Sequence, residues 1–483
     1  MTRTIALLDL LSLLVETPQL PAHVAALMIF RLPAKARRDT VAEIVAAWRR
    51  AKPVPPFTYI PEFPRLGLPC WKVADEIDMR YHVRHMTLPA PGRMDQLRQL
   101  VEVLHTERLA RERPLFHVLV IDGLEGGRFA VYARIHHAII DGMSAIVRVI
   151  ASLSEAPGRK LLPPIHALDL DVAREAPPRL LSERLAAFGG GVLRQASAAT
   201  EVYRRVFAES AAAFAAGDRT ASNLFSAPHI VTNDPFGLGR SVAMFSLPLV
   251  ALRSVGNAFG GTLNDVVMAI VDEALVRYLA VRGEMPAKRL VAGCPVSTRE
   301  KGDTRAGTDA TMIFVPLGEP DAAPGERLAQ IIASTRAAKA NVRSLSKDAA
   351  RDYALLALGL SEGIDAAGLR ARVAPLVNLA VSNVPGPRVP LYLGPAWLES
   401  LFPISMLASG VGLNVTLVST AEEMHFGVIA GAALLPDVQK LEGLCVRALA
   451  ALEEEAVRRP GAGTAKRAGA AKRAGRISRA RRS

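Results

Sequence analysis

The sequence predicts an α/β fold of two similar halves, and three observations carry that prediction. The chain has 483 residues, 50% hydrophobic and 22% charged, which exceeds what one hydrophobic core usually supports and excludes wholesale disorder. Helical and extended patterns alternate along both halves. Between them the composition shifts: prolines cluster at Pro163, Pro164, Pro177 and Pro178, and an Ala-rich stretch from Leu180 to Ala216 is broken at Gly189, Gly190 and Gly191. The reading is therefore an N-terminal domain at 1–165, a helical crossover at 166–233, a second domain at 234–457 and a tail at 458–483.

In the first half Leu97, Leu100, Val101 and Leu104 recur at helical spacing. The extended runs Phe116 to Ile121 and Arg128 to Ile135 follow around Asp122-Gly123 and Gly126-Gly127, which predicts a hairpin. A helix from Met143 places Ile146, Val147, Ile150 and Leu153 on one stripe. In the second half Val242 to Leu247 reads as a strand, Thr262 to Ala280 as a helix, and Leu290 to Val296, Leu376 to Val381 and Leu413 to Val418 as strands. The longest uncharged stretch, Ser400 to Ala421, is long enough to span a bilayer. It carries Pro403, Gly410, Gly412 and Asn414, which suit strands and turns, so any membrane contact is expected to be peripheral.

Cys70, Cys294 and Cys445 are far apart and form no CxxC pair, so neither a disulfide framework nor a zinc site is indicated, and no metal is expected. A reducing, cytoplasmic compartment fits. The leucine-rich start resembles a signal peptide, but Asp9 interrupts it and no small-residue cleavage site follows, so it reads as mature protein. The net charge of +13 is uneven: ten of the 59 Lys and Arg lie in 458–483, which has no acidic residue, leaving 49 basic against 46 acidic groups elsewhere. The tail repeats Ala-Lys-Arg-Ala-Gly at 465–469 and 471–475 and is expected to be disordered. It is either a solubilising segment or an attraction to anionic lipid, at roughly 1 kcal/mol per basic residue near the surface. Specific nucleic-acid binding ranks lowest, because no aromatic residues interleave the charges.

The chemistry concentrates in Arg134-Ile135-His136-His137-Ala138-Ile139-Ile140-Asp141-Gly142. A strand ends in two adjacent histidines and an Asp-Gly turn opens a helix, so the imidazoles sit where a cleft can form. Alternation puts Val131, Ala133, Ile135 and His137 on one strand face and His136 on the other. The two histidines therefore have different roles. Structural readings compete: the pair as packing or a modest metal site, Asp141 as a helix N-cap, Gly142 as a turn former. The four residues at fixed spacing in a strand-turn-helix context favour a functional reading.

This is the HHxxxDG signature, and the chain resembles the bacterial wax ester synthase/diacylglycerol acyltransferase family of the chloramphenicol-acetyltransferase-like superfamily. The resemblance extends over nearly the whole chain before the tail. It includes Pro21-Ala22-His23-Val24, His82-Val83-Arg84 with Leu88 to Gly92, and Arg113-Pro114-Leu115-Phe116. In the second half it includes Gly260 to Val267, Pro295 to Arg299, Ser382 to Pro387, Gly412 to Thr416, Phe426-Gly427 and Pro436-Asp437-Val438. HHxxxDG alone marks the superfamily, condensation domains included; the Asn264-Asp265 and Ser382-Asn383 blocks narrow it. The chain departs from the family at Phe116, usually Trp, at Ala22, commonly Met, and at Gly307-Thr308, frequently Gly-Asn. These departures bear on acyl-chain or acceptor preference rather than on the reaction.

The resemblance implies two chloramphenicol-acetyltransferase-like domains with mixed sheets flanked by helices and an active-site channel at their interface. It implies acyl-CoA-dependent O-acyl transfer to long-chain alcohols or diacylglycerol, giving wax esters or triacylglycerol, with acyl-CoA as co-substrate and no cofactor. His137 matches the catalytic histidine, and an imidazole suits a base at neutral pH. His136 is expected to pack and fix the loop, and Asp141 to orient it through a salt bridge with Arg299. Gly142, Asn264, Asp265, Ser382 and Asn383 are expected to line the substrate site. Thr262 to Asp265 equally fits a capping box, which leaves Asn264 as the better candidate to face substrate, and Ser382-Asn383 equally fits a strand end. Two other readings stay open: a non-catalytic lipid-binding or lipid-droplet protein of the same fold, and a condensation-type transferase using carrier-bound acyl groups.

Overall fold

The computed structural model describes residues 2–5, 7–65, 67–170, 225–297, 310–343, 357, 359–365 and 367–459. Its first half contains β1 (Thr2–Thr4), α1 (Leu7–Leu14), β2 (His23–Arg31), α2 (Thr40–Arg50), β3 (Tyr59–Glu62), β4 (Cys70–Val73), α3 (Met79–His82), β5 (Val83–Thr87), α4 (Met94–Thr106), β6 (Phe116–Leu124), β7 (Arg128–His136) and α5 (Gly142–Ala151). The second half contains β8 (Arg240–Pro248), α6 (Leu249–Phe259), α7 (Leu263–Val281), β9 (Val291–Ser297), β10 (Ala310–Pro316), α8 (Pro324–Arg343), β11 (Leu379–Val384), β12 (Tyr392–Leu393), β13 (Ala396–Ile404), β14 (Leu413–Ser419), β15 (Glu423–Gly431) and α9 (Lys440–Arg458).

Two six-stranded sheets form the frame, in the orders β12-β13-β2-β7-β6-β5 and β10-β9-β11-β14-β15-β8, with a small sheet β1-β4-β3 beside them. Both large sheets are mixed: β5 runs parallel to β6, and β11 parallel to β9 and β14, while the other pairings are antiparallel. The expected hairpin is β6–β7, with Phe116 opposite Ile135 and a bulge between Ile121 and Leu124. α5 differs from its predicted stripe. Ala145, Ile146, Val149 and Leu153 are buried, whereas Val147 is 54% exposed, because the helix turns its Ala145 side to the sheet.

The halves do not close separately. β13, from the second half of the sequence, lies antiparallel along β2 with Leu401 opposite Met28, so 392–404 belong to the first sheet. The pairing covers a strand edge that would otherwise be open, and both faces of β13 are used. Leu398 and Leu401 enter the first-half core, while Phe402 and Ile404 join a layer with Leu27, Ile29, Leu97, Val101, Val242 and Ile429 that holds the two sheets together. At this junction a Cβ on Gly427 would overlap the Pro403 carbonyl oxygen. The predicted tail boundary falls inside the fold: Arg458 ends α9, and the Arg459 guanidinium sits 3.7 Å over the Phe259 ring. Residues 460–483, and the crossover from 171 to 224, lie outside the described residues.

Candidate active site

The HHxxxDG segment leaves β7 at His136 and reverses at once, the Ile139 N–H donating to the His136 carbonyl at 3.0 Å. The reversal thus precedes Asp141-Gly142 rather than falling on it. The His137 N–H donates to the Ala22 carbonyl at 2.8 Å, which fastens the residue to the start of β2. His136 is fully buried while His137 is partly exposed, the inequality expected from strand alternation. Burial lowers the pKa of His137, the Asp141 carboxylate partly offsets that, and His136 adds to it, so the imidazole is neutral at neutral pH. Asp141 is the N-cap of α5, its Oδ1 accepting from the Ser144 N–H at 2.7 Å. Gly142 is the first helical residue and a Cβ there would meet nothing within 4 Å, so the backbone borders open space and no positive φ demands the glycine.

Behind this loop lies a set of residues that the sequence did not single out. The Ala138 N–H donates to His136 Nδ1 at 3.1 Å, which leaves the proton on Nε2, 3.7 Å from Glu16 Oε1. Glu16 also accepts from the Ala22 N–H at 3.2 Å and from Arg111 Nη2 at 2.9 Å. Burial raises the Glu16 pKa, but His136, Ala22 and Arg111 together hold it below the ordinary value. Leu10 and Leu13 of α1 pack with Ala138 and Ile139. Asp9 on the same helix is pushed up to about 6 by burial, with Arg3 opposing and the nearby Asp141 reinforcing. The segment from α1 to Ala22 is therefore the backing of the HHxxxDG loop. In this segment the sequence had marked Asp9, as a break in the leucine-rich start, and Ala22, within Pro21-Ala22-His23-Val24, but neither Glu16 nor Arg111.

In the second half, two separately predicted blocks meet. Asn383 Nδ2 donates to Asn264 Oδ1 at 2.6 Å, joining the end of β11 to the first turn of α7. Both amides line a cleft whose empty space, open solvent included, is about 400 Å³. Val384 and Val418, at the ends of β11 and β14, pack with Ile140, Ala145, Ile146 and Val149, so this end of the second sheet abuts the HHxxxDG loop. Asp265 is corrected to a structural role. Its Oδ2 accepts from the Thr262 N–H and hydroxyl, both at 2.7 Å, closing the capping box of α7. Ser382 is separated from Asn383 by strand alternation: Val381 and Asn383 face the cleft, while Ser382 lies on the face of Ala380. That face borders a second cleft, whose empty space, open solvent included, is about 740 Å³, with Gly293, Met312, Asp365 and Arg370 in its wall. Arg299 lies outside the described residues, and so does the predicted pair with Asp141. Among the described residues no group of three or more His, Cys, Asp or Glu could hold a metal ion, and no helix is long and apolar enough to cross a membrane.

Residues 5–267 match the wax ester synthase/diacylglycerol acyltransferase catalytic domain, and residues 306–453 match the WS/DGAT C-terminal domain. The chain belongs to the wax ester synthase/diacylglycerol acyltransferase family. It is 31% identical to the O-acyltransferase WSD of Acinetobacter baylyi, over 93% of this chain and 95% of that protein. It is 33% identical to a Mycobacterium tuberculosis protein named "Probable diacyglycerol O-acyltransferase Tgs4", over 93% of this chain and 96% of the relative. Among solved structures, the wax ester synthase/diacylglycerol acyltransferase from Marinobacter aquaeolei VT8 superposes with a TM-score of 0.72 at 29% identity, covering 94% of this chain and 99% of that one. The first condensation domain of the calcium-dependent antibiotic synthetase, at 17% identity and a TM-score of 0.59, shares the fold. The protein is an O-acyltransferase of chloramphenicol-acetyltransferase-like architecture.

Membership in the wax ester synthase/diacylglycerol acyltransferase family gives the sequence departures a setting. Phe116 is fully buried, stacked on His82 with ring centroids 4.4 Å apart and edge-on to Phe57 at 5.1 Å, so this substitution falls in the core and not on a binding surface. Ala22 contributes its backbone, holding His137 through its carbonyl and Glu16 through its N–H. Gly307-Thr308 lies outside the described residues.

Proposed function

We propose that this O-acyltransferase moves an acyl group from acyl-CoA to a long-chain alcohol or a diacylglycerol, with His137 as general base. The observation that carries the reading is the state of His137: pinned through its backbone to Ala22, partly exposed at a strand end, and kept neutral by burial. A neutral imidazole takes the hydroxyl proton as the acceptor oxygen bonds the thioester carbonyl carbon. The tetrahedral oxyanion then collapses, the carbon–sulfur bond breaks, and the imidazolium returns the proton to the coenzyme A thiolate. No covalent enzyme intermediate is needed. Asn264, whose Oδ1 is occupied by Asn383, keeps its amide hydrogens for the oxyanion. Asp141 holds the loop by capping α5.

His137→Ala is expected to lower turnover by roughly 10²- to 10⁴-fold with the fold retained, measured as coenzyme A release and circular dichroism. Near-normal turnover in the purified variant would reject the assignment of the base. Chain-binding without any coenzyme A release from wild type would favour a non-catalytic lipid protein, and turnover of carrier-bound acyl groups alone would replace the donor. An assay offering a long-chain alcohol and a diacylglycerol together identifies the acceptor.

Both substrates are lipids, and the working surface we propose is peripheral contact with anionic lipid through the basic residues Arg458 to Ser483. Deleting 460–483 is expected to weaken pelleting with anionic vesicles at low salt while leaving activity on dispersed substrate intact. Equal pelleting of both forms removes the idea.

A further inference from the structure

One corner of the first half gathers arginines that no carboxylate neutralises. α2 supplies Arg49, the short helix α3 Arg80, β5 Arg84, and the segment before β6 Arg113; Arg49 is half-buried and the other three are exposed. Two of them are fixed on Tyr81, the Arg113 guanidinium 4.1 Å and that of Arg84 5.0 Å from the ring centroid. The ring is itself held edge-on by His82 at 5.0 Å and His117 at 4.6 Å. Arg84 Nε donates to the Tyr81 carbonyl at 3.2 Å and Arg49 Nε to the Val83 carbonyl at 2.9 Å, so each is tethered by one nitrogen and keeps its two terminal amino groups for another acceptor. Among the described residues none of the four is ion-paired. Of the acidic residues in these segments, Asp78 caps α3 by accepting from the Arg80 N–H at 2.9 Å, and Glu112 forms no ion pair. Burial pushes His117 down to about 3, with Arg134 and Arg84 adding to it, and burial also lowers His82, so both rings are neutral and the positive charge here belongs to arginine alone.

This corner stands at the HHxxxDG end of the first sheet. β5 and β6 begin there, Val83 opposite Val118, and β7 ends there, Ile135 opposite Phe116. The Leu115 carbonyl, two residues past Arg113, accepts from the His136 N–H at 3.0 Å. Two strand spacings, roughly 10 Å, separate β5 from β7. We infer that Arg84 and Arg113, with Arg49 and Arg80 beside them, form a phosphate-binding site. The guanidinium fork matches two oxygens of a phosphate, and forks already held on an aromatic ring and on backbone carbonyls lose little freedom when the ligand arrives. A phosphate reaches this enzyme from two sources, the nucleotide end of coenzyme A and the head group of a phospholipid. The first rests on the reading of the protein as an acyl-CoA-dependent transferase, and position favours it, because a ligand held here lies beside the strand end that carries His136 and His137.

In the full-length chain, Arg84→Gln combined with Arg113→Gln removes both forks without adding a negative charge. Arg37→Gln combined with Arg93→Gln, at two exposed arginines paired with Asp39 and Asp95, removes the same net charge elsewhere and serves as the control. Arg113→Gln alone, at a side chain that holds no backbone group, repeats the measurement should the pair fail the check of folding by circular dichroism. Binding of coenzyme A, and of pantetheine, which lacks the phosphates, is measured by calorimetry. Pelleting with phosphatidylglycerol vesicles and with phosphatidylcholine vesicles is measured at low salt. The Arg84 and Arg113 variant is expected to bind coenzyme A roughly 10- to 100-fold more weakly than wild type, with pantetheine unchanged and the control binding as wild type does. If coenzyme A binding holds and pelleting with phosphatidylglycerol alone is lost, the site stands and the phospholipid is its source. Unchanged binding in both series overturns the inference, as does an equal loss in the control, which reports net charge and not a site. Neither series depends on turnover, so the outcome is readable whether or not His137 is the base. Wild type that binds coenzyme A, undisturbed by the substitutions, leaves the acyltransferase reading standing while the site falls.

Discussion

At the level of single residues, the histidine proposed as the base was visible in the sequence and its support was not. His137 stands in a spaced motif, whereas Glu16 and Arg111 lie far from it along the chain and meet His136 only in the folded state, with 3.7 Å and 2.9 Å contacts at the Glu16 carboxylate. No spacing rule links three residues brought together by a sheet and a helix. If His137 is the base, Glu16 is expected to act on the reaction only by positioning, through His136 and Ala22. Glu16→Ala removes the carboxylate that faces His136 Nε2 at 3.7 Å and that accepts from the Ala22 N–H and Arg111, and a small displacement of His137 is expected to follow. It is expected to lower kcat by up to about 10²-fold with little change in the KM for acyl-CoA, while Glu16→Gln, which keeps an acceptor oxygen, recovers much of the loss. Steady-state kinetics on the two variants checks this; equal loss in both, or a loss confined to KM, contradicts it.

Secondary-structure elements were legible where their pattern is local. The sequence predicts α7 and β9, and each lies within two residues of its predicted bounds at both ends. What fixes α7 in place was hidden. The helix is buried nearly all round, and it carries Asp272 and Glu273 into that environment, where Arg327 of α8 meets Asp272 Oδ2 at 2.6 Å and Glu273 Oε2 at 2.8 Å. Burial pushes the Asp272 carboxyl up to about 6 although Arg327 pulls it down. A buried pair of this kind is more costly to break than it is stabilising to have. Arg327→Met is therefore expected to destabilise the protein by about 3–5 kcal/mol, because it strands Asp272. Denaturant unfolding measures it, and adding Asp272→Asn to the variant is expected to recover part of the loss. The β13 strand shows the opposite case. Its extended character was readable from Pro403 and the uncharged run around it, but nothing local says that it pairs with β2 across the chain.

For the whole molecule, the charge arithmetic and the burial of histidines lead to different consequences. The sequence counts ten histidines, and several are sealed inside. Burial pushes His105 and His117 down to about 3 and His166 and His425 to about 4, and it holds His23 well below its ordinary value. These groups are neutral when folded and bind protons readily when unfolded, so their stabilising contribution is complete above about pH 6.5 and is lost progressively as the pH falls toward their folded values. Asp9 and Asp272, both raised to about 6, work in the opposite sense below that pH, but they are fewer and less displaced than the five histidines. The unfolding midpoint in denaturant is expected to decline as the pH is lowered from 6.5 to 4, and a flat profile over that range contradicts the account. The chain by itself determined the α/β class, the order of the elements flanking the motif, the family and the histidine proposed as the base, because hydrophobic period and motif spacing are properties of neighbours. Only the tertiary structure decided that Asp265 caps a helix while Asn264 meets Asn383, that Ser382 and Asn383 part to opposite faces, and that residues 392–404 complete the sheet of the other half. Each of these depends on which distant backbone a side chain is carried against, and that is set by how the two sheets pack.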